Sequence, residues 1–302
     1  MVKSAEGIVL HKAGGQYTVQ CGEELYEATL RGRIKHSRSV PKLLVGDVVH
    51  LAITPEGNAT IESVAERRSV LRRRTPGRRR GVRDVAANLD QVVVVGSMRD
   101  PDWKPSQIDR FVVVAVANRL PCIIVVNKVD LKSGDTAAAV YAALGYTVFQ
   151  TSVAQARGLE AVREALEGRI SLLTGPSGAG KSSLANALEP GLNLRTSPVS
   201  KRSRGGRHTT VAARMFRLSG GGFLVDTPGL RDIGLWGVTA SEVQEAYPEI
   251  ARAGASCRFD DCRHLTEPGC AVVEQVGGKV SSGRLTSYRH LLAEAMDARE
   301  SY

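Results

Sequence analysis

Residues 170–188 read ISLLTGPSGAGKSSLANAL: an apolar run, a glycine-rich loop and a helix-prone run in immediate succession. Within this stretch Gly175-Pro176-Ser177-Gly178-Ala179-Gly180-Lys181-Ser182 fits the pattern GxxxxGKS, with a strand expected at 170–173 and a helix at 182–188. Glycines let a backbone wrap closely around phosphate and turn its N–H groups inward, and the helix that follows adds the positive end of its dipole. Lys181 is placed to bridge the β- and γ-phosphates of a nucleotide, acting on the reacting end. Ser182, with Ser183 beside it, is placed to offer a hydroxyl to Mg2+, a hard ion that takes oxygen ligands. Alone, this string also fits a glycine-rich turn, so the chain on either side has to decide.

Upstream, PCIIVVNKVD at 121–130 is an apolar strand closed by Asn127-Lys128-Val129-Asp130. Open α/β sheets place ligand sites at such strand ends. A carboxylate at Asp130 only accepts hydrogen bonds, which suits the N1–H and N2–H2 donors of guanine and leaves adenine poorly matched. Asn127 is expected to hold the loop and touch the base, with the stem of Lys128 covering its face. After the strand YTVFQ at 146–150 come Ser152 and Val153, whose backbone N–H groups are candidates to close the base pocket. Downstream, GGFLVDTPG at 221–229 is a third apolar strand with a motif at its end: Asp226 is positioned to hold Mg2+ through water, and the Gly229 N–H to reach the γ-phosphate. With QVVVVGSM at 91–98, these runs alternate with helical stretches and predict a parallel α/β sheet.

Before the sheet, short β-like runs at 7–10, 16–20, 25–30, 47–53 and 59–64, separated by Gly, Asn and Pro turns, predict a small β-barrel. The stretch RRSVLRRRTPGRRRGVR at 67–83 carries nine arginines and no acid. It reads as a basic linker, and with a net charge of +10 over 302 residues it favours a polyanionic partner, RNA above all. Behind the sheet, 239–250 and 284–300 have helical spacing, the second with a stripe of Leu285, Tyr288, Leu291, Leu292 and Met296. Between them Cys257, Cys262, His264 and Cys270 supply three thiolates and one imidazole, the complement of a closed tetrahedral zinc site without a catalytic water. Cys21 and Cys122 read as packing residues, and His11, His36, His50 and His290 have no partner spacing. No apolar run is long enough to span a bilayer and the N-terminal apolar stretch is too short for a signal peptide, so a cytoplasmic protein without a membrane partner is expected.

Base, phosphate and metal motifs of this kind belong to Ras-like GTPases, but here they run NKVD, TSV, GPSGAGKS, HTT, DTPG, with the phosphate loop no longer first. With the barrel before them and the Cys/His cluster after, the chain strongly resembles the circularly permuted GTPases that mature the small ribosomal subunit, the RsgA/YjeQ type. The resemblance implies an OB-fold barrel (1–68), a basic linker (69–88), a permuted P-loop GTPase domain of α/β type (89–235) and a mainly helical zinc-binding domain (236–302). It implies GTP and GDP as ligands with Mg2+ and one structural Zn2+. The small (30S) ribosomal subunit and its 16S rRNA become partner and activator, in a late assembly checkpoint shared with other assembly factors; a monomer is expected. Leu230 stands where Ras-like enzymes commonly carry a water-orienting Gln, so intrinsic hydrolysis should be slow, and the resemblance points to His208 as the substitute. Thr209 or Thr210 should join the magnesium shell, Thr210 being favoured. Because DTPG runs out into the C-terminal region, nucleotide state is expected to set that region against the barrel. An RNA-binding switch with negligible hydrolysis and a P-loop metabolite kinase are the rival readings.

Overall fold

The first five strands, β1 (Lys3–Ala13), β2 (Gln16–Cys21), β3 (Glu24–Leu30), β4 (Val48–Ile53) and β5 (Ala59–Val64), close on themselves in the order β1-β2-β3-β5-β4. This is the Greek-key order of an OB-fold, with β3 and β5 the parallel pair. Inward positions such as Val9, Val19, Val49, Leu51 and Ile61 alternate with polar outward ones and fill the barrel. The computed structural model describes residues 2–32, 42–75, 81–194, 213–227, 235 and 238–300.

Residues 69–88 depart from the expected linker. They hold β6 (Val70–Thr75) and β7 (Gly81–Ala87), a two-stranded antiparallel ribbon in which Arg72 faces Asp84 and Arg73 faces Arg83. The ribbon forms because its base is apolar: Leu71 and Ala86 are fully buried. The arginines between hide that short apolar pattern in the sequence.

The central sheet has the order β10-β9-β8-β11-β13-β12, from β8 (Gln91–Ser97), β9 (Cys122–Asn127), β10 (Thr147–Thr151), β11 (Ile170–Thr174), β12 (Arg214–Arg217) and β13 (Phe223–Asp226). All neighbours are parallel except β12 against β13. The inner strands β8, β9 and β11 are buried on both faces, which is why the sequence reads there as continuous apolar runs. Val92, Val94, Ile124 and Leu172 face one core, with α1 (Pro105–Ala117) and α2 (Asp135–Ala143). Val93, Val95, Val125 and Leu173 face the other, with α3 (Leu159–Leu166) and α4 (Lys181–Leu188). From β8 the chain steps through β9 to β10, then returns to lay β11 on the opposite side of β8. The sheet therefore has its switch point between β8 and β11, where the phosphate loop begins.

The C-terminal region packs onto α1. Its helices are α5 (Ala240–Glu245), α6 (Pro248–Gly254), α7 (Ala271–Glu274) and α8 (Ser282–Glu300). The helical spacing over 239–250 breaks into α5 and α6 because Pro248 lacks the N–H to continue a helix and starts a new one at its own first turn. Thr239 and Glu242 form a reciprocal capping box that starts α5. The stripe on α8 is as expected: Leu285, Tyr288, Leu291 and Leu292 are buried, with Met296 at the margin. Arg284 of α8 is buried between Asp109 of α1 and Glu249 of α6, its guanidinium 4.1 Å from the Tyr247 ring. Tyr141 of α2 donates to the same Asp109 at 2.7 Å. Glu294 of α8 accepts from Arg110 of α1 and from the backbone N–H of Leu235. On the other side, Arg217 of β12 makes two 2.6 Å bonds to Glu23 in the β2–β3 turn of the barrel.

Candidate nucleotide site and cysteine cluster

The loop between β11 and α4 carries the phosphate-binding string, and its two ends show why glycine is required there. Gly175 has φ +136° and a Cβ would sit 2.1 Å from the Val95 carbonyl oxygen of β8. Gly180 has φ +92° and a Cβ would sit 2.4 Å from Asn127 Nδ2. Among the described residues no side chain caps α4, so its first N–H groups face the loop. Lys181 reaches back over the loop, its ammonium donating to the carbonyls of Gly175 at 2.8 Å and Pro176 at 2.7 Å. Pro176, Ser177 and Gly178 form the outer rim, while Ala179 is fully buried against α4 and fixes the loop to the core.

The base motif meets this loop directly. Asn127, buried at the end of β9, donates through Nδ2 to the Ala179 carbonyl at 3.0 Å and accepts at Oδ1 from the Thr151 hydroxyl at 3.0 Å. One amide thus joins the ends of β9 and β10 to the phosphate loop. Lys128, at φ +60°, donates to the Gly178 carbonyl at 2.9 Å and to the Asp100 carbonyl. Asp130 follows, partly exposed, on the turn after β9. Of the two expected pocket-closing amides, Ser152 donates its N–H to Arg157 O at 3.1 Å and accepts from the Arg157 N–H at 2.9 Å, closing the loop on itself. Val153 is partly buried, packed against the core cluster shared with α3 and α4.

On the far side of the loop, Asp226 ends β13 opposite Leu173 of β11. A cavity there is lined by Thr174, Lys181, Ser182, Leu194, Asp226 and Thr227. Strand pairing therefore brings the hydroxyl of Ser182 and the carboxylate of Asp226, 44 positions apart by numbering (226 less 182), to one wall. Two oxygen donors beside a phosphate cradle are the donor set a magnesium ion takes. His208, Thr209, Thr210 and Gly229 lie outside the described residues. Thr151 is legible in the sequence only as the start of the TSV string and a source of backbone N–H, and its hydroxyl contact shows only once β9 and β10 pair; the buried Thr227 lies one position along a motif read for its Asp and Gly.

Cys257, Cys262, His264 and Cys270 converge, with their ligand atoms all within 4.8 Å of one another. His264 Nδ1 lies 3.6 Å from Cys257 Sγ and 3.5 Å from Cys270 Sγ, and those two sulfurs are 3.9 Å apart. Zinc bonds of about 2.3 Å to sulfur and about 2.1 Å to nitrogen put neighbouring tetrahedral ligands roughly 3.6–3.8 Å apart, so the donor set and spacing fit that ion. Burial pushes the Cys262 thiol up to about 12, so a thiolate at this position calls for a cation among the four. Burial also lowers the His264 pKa, favouring the neutral imidazole that ligates metal. With Nδ1 turned to the sulfurs, His264 Nε2 faces the Gln244 amide of α5 at 3.4 Å. Arg289 of α8 bonds the carbonyls of His264 and Leu265 at 2.7 and 2.8 Å, holding the ligand loop to the longest helix. No sequence spacing marks Gln244 or Arg289.

The sequence model of the family described as RsgA GTPase matches residues 64–236, and that of the RsgA N-terminal domain matches residues 6–61. The small ribosomal subunit biogenesis GTPase RsgA of Gemmatimonas aurantiaca is 48% identical over 304 residues, covering 98% of this chain and 99% of that protein. The protein of the same name from Moorella thermoacetica is 36% identical over 300 residues, covering 98% and 99%. Among solved structures, YjeQ from Thermotoga maritima is similar with a TM-score of 0.75 at 31% identity, covering 97% of this chain and 99% of that one. YloQ, a circularly permuted GTPase, gives 0.74 at 27% identity, covering 98% and 96%.

Proposed function

The chain belongs to the RsgA family of GTPases, and from that membership we propose that it hydrolyses GTP in response to the small ribosomal subunit, as a late checkpoint in the assembly of that subunit in the cytoplasm. The observation that carries the catalytic half of this reading is the Asn127 amide, which locks the guanine motif to the phosphate loop at Ala179. Base selection and phosphate binding then occur in one rigid frame. The Asp130 carboxylate accepts the two guanine donors, and a site built on that pairing rejects adenine strongly. Loop N–H groups and the α4 N-terminus hold the phosphates, and Lys181 follows the charge that gathers on the β–γ bridge. Ser182, Asp226 and Thr210 are the residues that would hold magnesium, which when bound neutralises phosphate charge. His208 is assigned to orient the attacking water because Leu230 cannot.

Cys257, Cys262, His264 and Cys270 hold one structural zinc ion in this reading, supported by the tetrahedral spacing above. The names of the relatives supply the partner, and the stretch 67–83 supports it: nine arginines without an acid favour a polyanion. GTP turnover by the purified protein, measured alone, with small subunits and with large subunits, tests the proposal. A rise specific to small subunits is expected. Bound GTP with no rise would favour the non-hydrolysing RNA-binding switch, and preference for ATP would favour the kinase.

A further inference from the structure

Among the described residues, four buried side-chain atoms have no hydrogen-bond partner: His11 Nδ1, Thr54 Oγ1, Asp109 Oδ2 and Thr227 Oγ1. His11 and Thr54 belong to the barrel, and the other oxygen of Asp109 is held by Arg284 and Tyr141. Thr227 is different. It is 6% exposed, follows β13 directly, and shares the wall of the nucleotide cavity with Lys181, Ser182 and Asp226. A hydroxyl buried without a partner is a standing cost that valine, the same shape without the oxygen, would avoid. The preceding residues Leu224 and Val225 show that the strand otherwise takes such apolar side chains. The hydroxyl therefore calls for a polar partner at the site.

We propose that Thr227 is a positioning residue for magnesium, its hydroxyl hydrogen-bonding in the outer shell of the hydrated ion beside the Asp226 carboxylate. Two of the side chains with which it shares the cavity wall, Ser182 and Asp226, are the oxygen donors assigned to that ion, and magnesium keeps several waters that need outer partners. This inference rests on the magnesium reading proposed above.

The test is release of a fluorescent GDP analogue from the full-length protein across a magnesium titration, comparing wild type, Thr227→Val and Thr227→Ser. Thr227→Val should need about 5-fold more magnesium to slow release half-maximally, the loss of one hydrogen bond, while Thr227→Ser follows wild type. Release in excess chelator should be equal in all three, and the nucleotide-free Thr227→Val protein should melt at or above the wild-type temperature. A Thr227→Val titration that overlays wild type would overturn the proposal. So would faster release in chelator, which means a contact to the nucleotide itself, or failure of Thr227→Val to fold, which means the hydroxyl has a structural partner. A wild-type protein whose GDP release ignores magnesium would instead overturn the underlying magnesium reading.

Discussion

Arg284 lies 4% exposed between Asp109 and Glu249, whereas Arg217 lies 40% exposed against Glu23, and each arginine marks a contact between the central sheet and one of its two neighbours. The first joint is buried, shared by α1, α6 and α8, and continuous with the largest core cluster. Burial pushes the Asp109 carboxyl above its usual range against the pull of Arg284, so removing the guanidinium would strand charge in a dry interior. The second joint is a surface ion pair, screened by salt and worth little to stability. It nevertheless sits on β12, the strand that follows residues 195–212, where His208 and Thr210 lie. The comparison teaches where the molecule can move. The sequence suggested that nucleotide state swings the C-terminal region against the barrel. The welded joint opposes motion of that region relative to α1, whereas the Arg217–Glu23 pair adds little restraint at the barrel, where buried Leu10, Val45 and Met215 of the same core cluster make the contact.

Arg284→Met is the largest test of this contrast. It should cost about 3–5 kcal/mol in urea unfolding by leaving Asp109 and Glu249 without their cation, and a loss below about 1 kcal/mol would break the contrast. Next, Gln244→Leu should weaken metal affinity about 10- to 100-fold in chelator competition, because His264 Nε2 loses its outer partner. Hydrogen exchange should then rise in α5 to α8 and not in the barrel. Arg217→Ala should leave the unfolding midpoint unchanged but broaden the barrel-to-sheet distance distribution measured by paired spin labels. The smallest effect concerns pH. The Arg217 hydrogen bond holds Glu23 below the usual carboxylate range, so its share of the joint is present above the ordinary glutamate pKa and lost as pH falls through the depressed folded value. A carboxyl titration by NMR should place that midpoint below the one in Arg217→Ala.

The parts legible in the sequence were those governed by local rules. Five β-like runs marked the barrel strands, and each nucleotide motif closed an apolar run because buried parallel strands leave no polar alternation to confuse the reading. The four zinc-type ligands lie within fourteen residues, so spacing alone exposed them. What stayed hidden depends on distant partners. Asp109, Glu249 and Arg284 are ordinary charged residues until α1, α6 and α8 pack, and nothing in their spacing marks a hub. Nine arginines overwrote the short apolar signal of β6 and β7. Thr151 and Gln244 act through contacts made only after strand pairing or helix docking.

The position of β11 beside β8 has a consequence for how the chain comes into being. On the synthesising ribosome β8, β9 and β10 emerge in order and can pair as they appear, since each neighbours the last. One edge of β8 must then wait for β11, about 70 residues later, which at roughly 5–20 residues per second is on the order of several seconds. During that interval a half-sheet carries the guanine motif with no phosphate loop beside it, so GTP cannot template the early stage. An apolar strand edge stands open instead, and nascent-chain chaperones have their clearest opportunity there.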